Sequence, residues 1–293
     1  MSVDEVFARV ANAWNEVTSS VDAAWDAAWR SRNRANAEES RKKTALATGI
    51  VTERDARHAR VPPYVFERDV GARVRVLDLA SNAIVDVDDA IGSLRNAQKV
   101  NLSFNAVRAL PRAFSTLVNL KTLDLRGNKL TALPEDIDSL LALEDLGVRE
   151  NALRALPRTL GKCKRLRRLD ASANALTTFD DAIAGLGNCA DLEVIRFARN
   201  REMRGALPVA WAHAVKLKEI DVDDTKCDGV PGEILLACDR LTTLSLRRTL
   251  VDVGTLKRTD GFESYESRRQ GKHNKQLDSR VLLDDSRLDE RLR

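Results

Sequence analysis

Residues 120–128 read LKTLDLRGN, and the pattern of this stretch recurs along the middle of the chain. The pattern is an apolar residue, two free positions, an apolar residue, one free position, an apolar residue, two free positions and then Asn. Eight copies fill residues 74–249: VRVLDLASN, AQKVNLSFN, LKTLDLRGN, LEDLGVREN, LRRLDASAN, LEVIRFARN, LKEIDVDDT and LTTLSLRRT. Successive closing residues are 23, 23, 23, 23, 26, 25 and 24 residues apart. Self-similarity at such a period is typical of stacked repeats, each of which is one structural unit.

We number the pattern from position one, its first apolar residue, to position nine, its closing Asn or Thr. Apolar residues at positions four and six alternate with free positions, which is the period of a β-strand. The apolar pairs and prolines that follow position nine suit a turn and the start of a short helix. The sequence therefore predicts an α/β leucine-rich repeat solenoid, with parallel β-strands on the concave face and short helices or 3-10 turns on the convex face.

The Asn at position nine is expected to bond backbone groups exposed at the turn, in its own and the adjacent repeat. Thr225 and Thr249 replace it with a shorter hydroxyl, so the ladder is expected to be weaker there. The predicted ladder consists of Asn82, Asn105, Asn128, Asn151, Asn174 and Asn200.

The chain divides by composition into three parts. Residues 48–265 are predicted to form the repeat domain with its caps, and residues 266–293 a charged C-terminal tail. Residues 1–47 are Ala-rich and Trp-rich and contain neither Gly nor Pro, which predicts an N-terminal amphipathic helix. Its apolar stripe, widened by Trp25 and Trp29, is Val3, Phe7, Val10, Trp14, Val17, Val21, Ala24 and Ala28. This helix could cap the solenoid, pair with itself or a partner, lie on a membrane or be a targeting segment.

The composition excludes several classes of function. The formal net charge is +4, from 48 basic and 44 acidic residues, and no basic run is interleaved with aromatics, so no nucleic-acid partner is predicted. No apolar stretch is long enough for a transmembrane segment. No secretory signal is visible at the N-terminus, and the compartment expected is the cytoplasm.

No catalytic residues, metal site or cofactor are predicted, and the chain is not expected to be an enzyme. The three His residues, at positions 58, 213 and 273, fall in separate regions. Cys163, Cys189 and Cys238 occupy an inward slot three residues before a repeat, and Cys227 takes an apolar slot. They are expected to pack as small apolar residues, since no C-x-x-C pair of the zinc type occurs.

Free positions of the strands are expected to form a partner-binding concave face. Its middle is predicted to be basic and its seventh repeat acidic. One interpretation is that these charges form a polarised strip on which a partner docks, and the other is that they are solvated surface charges. The candidate binding residues are Phe104, Arg126, Arg149, Arg167, Arg168, Arg196, Arg199, Asp221, Asp223 and Arg247.

The run LKTLDLRGNKLTALPEDIDSLLALEDLGVRENALRALPRTLG, from Leu120, resembles the intracellular LP-type repeats of Ras-group leucine-rich repeat proteins. The flanking segments TALATGIVTERDA and LKRTDGFESYESRRQGKHNKQLDS are similar to those of short cytoplasmic leucine-rich repeat proteins of plants and animals. This resemblance implies a scaffold or adaptor in intracellular signal transduction, with a small GTPase or a phosphatase complex as partner.

The function predicted from the sequence is non-catalytic protein binding on the concave face. Two alternatives stay open. One is a structural subunit that assembles, or self-associates, through the N-terminal helix. The other is a regulatory or substrate-recognition subunit of a phosphatase or ubiquitin ligase.

Overall fold

The computed structural model describes residue 32 and residues 35–272, and within this part the chain forms the predicted leucine-rich repeat solenoid. Its strands are β1 Ile50–Thr52, β2 Val76–Asp78, β3 Lys99–Asn101, β4 Thr122–Asp124, β5 Asp145–Gly147, β6 Arg168–Asp170, β7 Val194–Arg196, β8 Arg204–Gly205, β9 Glu219–Asp221, β10 Lys226–Cys227 and β11 Thr243–Ser245. Among the described residues, nine of these form one parallel sheet in chain order, and β8 pairs with β10 in a second, two-stranded sheet.

The large sheet is held in register by the residue at position four of each repeat. Leu77 is paired with Val100, and Val100 with Leu123, and all three side chains are fully buried. Side chains alternate across a strand, so positions four and six fill the core while positions three, five and seven lie on the concave face. The ninth strand, β1, precedes the eight copies and pairs Val51 with Leu77 in the same register.

The Asn side chains at position nine join each repeat to the one before it. Asn128 is buried, and its Nδ2 donates to the carbonyls of Leu102 and Leu125, both at 2.9 Å. Its Oδ1 accepts from the backbone N–H of Val107 at 2.9 Å. Five further Asn residues make the same contacts across the repeat boundary: Asn82, Asn105, Asn151, Asn174 and Asn200.

The two Thr residues at position nine bond only within their own repeat. Thr225 Oγ1 donates to the Val222 carbonyl at 2.7 Å and accepts from the Cys227 N–H at 3.3 Å. Thr249 donates to the Leu246 carbonyl at 2.8 Å. A hydroxyl is too short to reach the adjacent turn, so the last two boundaries rely on strand pairing and apolar packing.

The convex side is built of short helical turns, most of which begin after Pro or Asp. The α-helices of the described part are α1 (residues 35–48), α2 Arg68–Gly71, α3 Asp181–Ala184, α4 Gly232–Ala237, α5 Val253–Arg258 and α6 (residues 262–272). The 3-10 helices are Pro63–Phe66, Asp89–Ser93, Arg112–Thr116, Ile137–Ser139, Arg158–Lys162, Gly185–Asn188 and Val209–His213. Close stacking requires Gly187, where a Cβ would lie 2.0 Å from the Ala210 carbonyl oxygen.

The insertion in the sixth repeat is ordered by pairing with the seventh. Arg204 and Gly205 of β8 pair in parallel with Lys226 and Cys227 of β10. The fully buried ring of Trp211 packs against Phe179 and Phe197, and its indole N–H donates to the Ile183 carbonyl at 2.9 Å. The added residues, 201–206, thus include the two-residue strand β8.

Helices cover both ends of the repeat array. Helix α1 buries Ala45 completely, and Arg73 donates to its Leu46 carbonyl at 3.1 Å. Helix α6 continues past residue 266, where Arg268 Nη2 donates to the Leu235 carbonyl at 2.8 Å. The predicted Trp-rich stripe and most of the charged tail lie outside the described residues.

Replacement of Asn128 by Ala is expected to lower the free energy of unfolding by about 3 kcal/mol, because the buried Val107 amide loses its acceptor. Asn128→Thr should cost less, since Thr225 illustrates that a hydroxyl keeps the bond within its own repeat. Urea unfolding followed by circular dichroism measures both values. A cost below about 1 kcal/mol for Asn128→Ala would contradict the ladder's role.

Replacement of Gly187 by Ala is expected to destabilise the protein by about 1–3 kcal/mol, because the added methyl group collides with the Ala210 backbone. Gly185→Ala is the matched control: no atom lies within 4 Å of a Cβ built there, and its φ of −57° is helical. The control should be neutral or stabilising by about 0.5 kcal/mol. Thermal unfolding distinguishes the two, and equal melting temperatures would be the contrary result.

Candidate protein-binding face

The concave face presents three parallel columns of side chains, one from each of positions three, five and seven. In-register pairing places equivalent residues of neighbouring repeats side by side, about 4.8 Å apart. We call the residues at position five the central column. From β2 to β11 it consists of Asp78, Asn101, Asp124, Gly147, Asp170, Arg196, Asp221 and Ser245.

The acidic residues of the central column have a structural role in the strand ends. Oδ1 of Asp170 accepts the backbone N–H of Ser172, two residues further on, at 3.0 Å. Asn101 makes the same bond to Ser103, which means that an amide serves there as well as a carboxylate. The bond recurs at Asp78, Asp124 and Asp221, with distances of 3.0–3.2 Å.

The arginines of the middle repeats lie on the face and are each paired with a carboxylate. Arg126 Nη2 lies 2.7 Å from Asp124 Oδ2, and Arg149 Nε lies 3.0 Å from Glu150 Oε1. Arg196 Nε donates to Oε1 of Glu219 at 2.6 Å. Their side chains stay 40–52% exposed, so they remain accessible to a partner. The middle of the face is therefore charge-balanced where the sequence predicts a basic strip.

Arg168 and Arg167 occupy different surfaces. Arg168, at position three, lies on the face and donates to Asp145 at 2.7 Å. Arg167, at position two, lies just before the N-terminal end of β6, where its Nη2 is 2.6 Å from Glu193 Oε1. Lys218 bonds the same carboxylate at 2.7 Å, and together Lys218 and Arg167 lower the pKa of Glu193 to about 2. Arg167 thus belongs to a row of ion pairs at the N-terminal ends of the strands.

Phe104 and Arg199 share position eight, where the backbone leaves the strand. Both adopt the left-handed conformation, with φ of 55° and 61°, as do the other residues at this position. The Phe104 ring is half exposed and lies under Arg126, whose Cζ is 5.9 Å from the ring centroid. Gly127 leaves space for that ring, since a Cβ there would lie 2.6 Å from Phe104 Cδ1. Arg199 is exposed and has no ion-pair partner among the described residues.

The acidic residues of repeat seven are joined to repeat eight. Asp223 Oδ1 accepts the Arg247 backbone N–H at 2.7 Å, and Arg248 lies 2.7 Å from Asp224. Asp221 is half-buried, and this burial raises the pKa of its carboxyl. The carboxylates of repeat seven therefore bond mainly to groups of the protein itself.

A groove of about 620 Å³ runs along the middle of the concave face. We call it the concave groove; its floor includes Gly147, the one residue of the central column without a side chain. Its charged and aromatic lining residues are Phe104, Asp124, Arg126, Asp145, Arg149, Glu150, Arg168, Asp170 and Arg196. Four arginines face four carboxylates in this set, so its formal charge is zero.

The described residues offer no arrangement suited to binding a metal ion. They contain no cluster of three or more candidate metal ligands. All four cysteines are buried, and burial raises the pKa of Cys189 to about 12 and of Cys163 to about 11. Such thiols are protonated and shielded near neutral pH, which makes them poor nucleophiles. No helix in residues 35–272 is long and apolar enough to span a membrane.

Comparisons with known proteins agree with this fold. The Leucine rich repeat family profile matches residues 72–130. Plant intracellular Ras-group-related LRR protein 7 of Oryza sativa subsp. japonica is 39% identical over 77 residues, which are 26% of this chain and 29% of that protein. An LRR repeat and ubiquitin-like domain-containing protein of Arabidopsis thaliana is 38% identical over 53 residues, 18% of this chain and 14% of that protein. The matched part is thus less than a third of either relative, and the resemblance to Ras-group leucine-rich repeat proteins is confirmed.

Solved structures support the solenoid architecture. The leucine-rich repeat domain of the type III effector XopL superposes with a TM-score of 0.62 and 19% identity, over 73% of this chain and 74% of that one. A TDR receptor superposes with a TM-score of 0.58 and 22% identity, over 64% of this chain and 32% of that one. At these identities the likeness establishes the fold alone. Fold and relatives together support a protein-interaction role of a typically non-catalytic kind.

Proposed function

We propose that this protein is a non-catalytic scaffold or adaptor that binds a protein partner in the concave groove. The observation that carries the proposal is the groove itself, a rigid concave surface with exposed arginines and an exposed aromatic ring. Arg and aromatic side chains are enriched at the centres of protein interfaces. The groove is open and shallow, which suits a polypeptide better than a small molecule enclosed by a pocket.

The paired charges of the groove define how a partner would bind. Each arginine is held by a neighbouring carboxylate, so its guanidinium is oriented before a partner arrives. A guanidinium has five N–H donors, and the contacts of Arg126, Arg149 and Arg196 leave some of them for a partner. Ion pairs between a partner and these arginines would influence the rate of association and the specificity of binding more than the affinity.

The proposed setting is intracellular signal transduction in the cytoplasm. It is supported by the similarity to a plant protein named intracellular and Ras-group-related. A small GTPase or a phosphatase complex remains the partner class implied by the resemblance. A role in assembly through the N-terminal helix rests on residues outside the described part of the chain.

The test is quantitative affinity purification of the full chain from extract of its source cells. The groove variant combines Gly147→Leu with Arg149→Glu, which fills the floor and reverses one charge. The matched control combines Arg112→Glu with Arg158→Glu, two exposed residues of convex 3-10 helices. Specific partners should fall at least about tenfold with the groove variant, as expected for loss of hot-spot contacts, and be unchanged with the control.

Circular dichroism and thermal unfolding must first establish that both variants keep the fold. Partners retained at wild-type levels by the folded groove variant would refute docking in the concave groove. Partners lost equally from both variants would place the contact elsewhere and refute it as well.

A further inference from the structure

Gly147 lies in the middle of the concave groove, and the backbone does not require a glycine there. Its φ is not in the left-handed region, and the nearest atom to a Cβ built there would be Asp124 Oδ1 at 3.3 Å. Glycine inside a strand costs about 0.5–1 kcal/mol relative to Ala. Such a glycine often marks a place where a ligand or another backbone approaches closely. The Asp124 carboxylate is the group nearest to the missing side chain, and the space above Gly147 opens into the concave groove.

Two carboxylates flank the gap above Gly147. Strand pairing places Gly147 between Asp124 and Asp170, whose Cα atoms are therefore about 10 Å apart, two strand spacings. The Asp124 carboxylate is already occupied, since Arg126 donates to its Oδ2 from Nη2 at 2.7 Å and from Nε at 3.0 Å.

Asp170 is the carboxylate of the groove that has no cationic partner within ion-pair distance among the described residues. Its Oδ1 accepts one backbone N–H, from Ser172. The neighbouring cation in the central column is Arg196, but that side chain is directed to Glu219, with Nε 2.6 Å from Oε1. The other acidic lining residues are Asp124, Asp145 and Glu150, and each is paired with its own arginine. Asp170 is therefore the carboxylate of the groove that the described residues leave without a direct ion pair.

We propose that the protein partner places one Lys or Arg side chain in the gap above Gly147, where its cationic group pairs with the Asp170 carboxylate. This inference rests on the docking proposed for the concave groove and names the chemistry of its occupant. The gap without a side chain supplies the space, and Asp170 supplies the charge.

The arginines around the groove restrict which cationic segments fit. Arg149, Arg168 and Arg196 surround the gap, and each would repel further positive charge. A partner segment should therefore carry a single cation at this point, beside neutral or acidic residues that can bond the rim guanidiniums. Segments with several adjacent basic residues should bind more weakly, because these arginines repel them.

The test uses a random linear 12-residue peptide library displayed on phage and selected on the full chain. Depletion on the Gly147→Leu variant beforehand removes peptides that bind outside the gap. The selected peptides are expected to share one Lys or Arg without a second basic residue beside it. Synthetic peptides are then measured by fluorescence polarisation against the wild-type chain and its variants.

Asp170→Asn is the decisive variant, because Asn101 makes the same backbone bond at the equivalent position and the strand end is therefore retained. We expect it to weaken peptide binding at least about tenfold, as for a charge left without its partner in a partly desolvated site. Asp78→Asn, which removes a carboxylate from the same column outside the groove, should change binding less than about twofold. Gln in place of the peptide's Lys or Arg should reproduce the loss.

Peptides that bind Asp170→Asn as tightly as the wild type would overturn the inference, as would a library enriched in aromatic or acidic residues without a cation. A library that yields no peptide dependent on the gap would overturn it too. Loss of cellular partners from the groove variant would still uphold docking in that case, so the two proposals fail separately.

Discussion

The buried Asn side chain at position nine is the interaction on which the rest of this structure depends. A leucine-rich repeat cannot bury its apolar face alone, and each unit is stable only against its neighbours. Asn128 satisfies two carbonyls and one amide that the turn would otherwise leave unpaired in the interior. Unpaired backbone groups of this kind are costly, so the Asn fixes both the turn and the contact to the preceding repeat. The in-register strands and the straight columns of the concave face follow from it.

The same regularity determines the electrostatics of the face. Equivalent residues stand one strand spacing apart, which lets an arginine of one repeat reach a carboxylate of a neighbouring repeat, as Arg168 reaches Asp145 and Arg196 reaches Glu219. Pairing of neighbours removes most of the net charge that the arginines alone would give. What remains for recognition is the shape of the groove, the exposed ring of Phe104 and the unpaired carboxylate of Asp170.

Much of the fold can be predicted from the repeat pattern, because positions four, six and nine report burial and hydrogen bonding directly. The first strand is harder to foresee, since Glu53 stands at position six where other repeats have an apolar residue. Its burial is compensated at long range: the Tyr64 hydroxyl donates to it at 2.8 Å, and Arg41 of α1 lies 3.3 Å away. Strand β8 also depends on a distant partner, β10, one repeat further along the chain.

The pattern likewise gives the positions of the candidate site but not its pairings. It places Arg126, Arg149 and Arg196 on the concave face, yet which carboxylate each guanidinium meets depends on side-chain geometry. Arg167 and Arg199 are close in sequence to concave-face residues but lie at the two ends of the strands, because positions two and eight flank the strand. Gly147 is visible in the central column from the sequence. The structure is needed to show that Arg126 pairs with Asp124, whereas Asp170 has no ion-pair partner among the described residues.

Native-state hydrogen exchange measured residue by residue tests most directly whether the Asn ladder holds the repeats together as one unit. The amides of Val107, Leu130 and Leu153, which donate to ladder Asn side chains, should exchange with the same opening free energy as the strand amides from β2 to β7. Amides around Thr225 and Thr249, where the ladder has no bond across the repeat boundary, should open at lower free energy. Repeats between β2 and β7 that open independently, with rapid exchange at those three amides, would contradict the account.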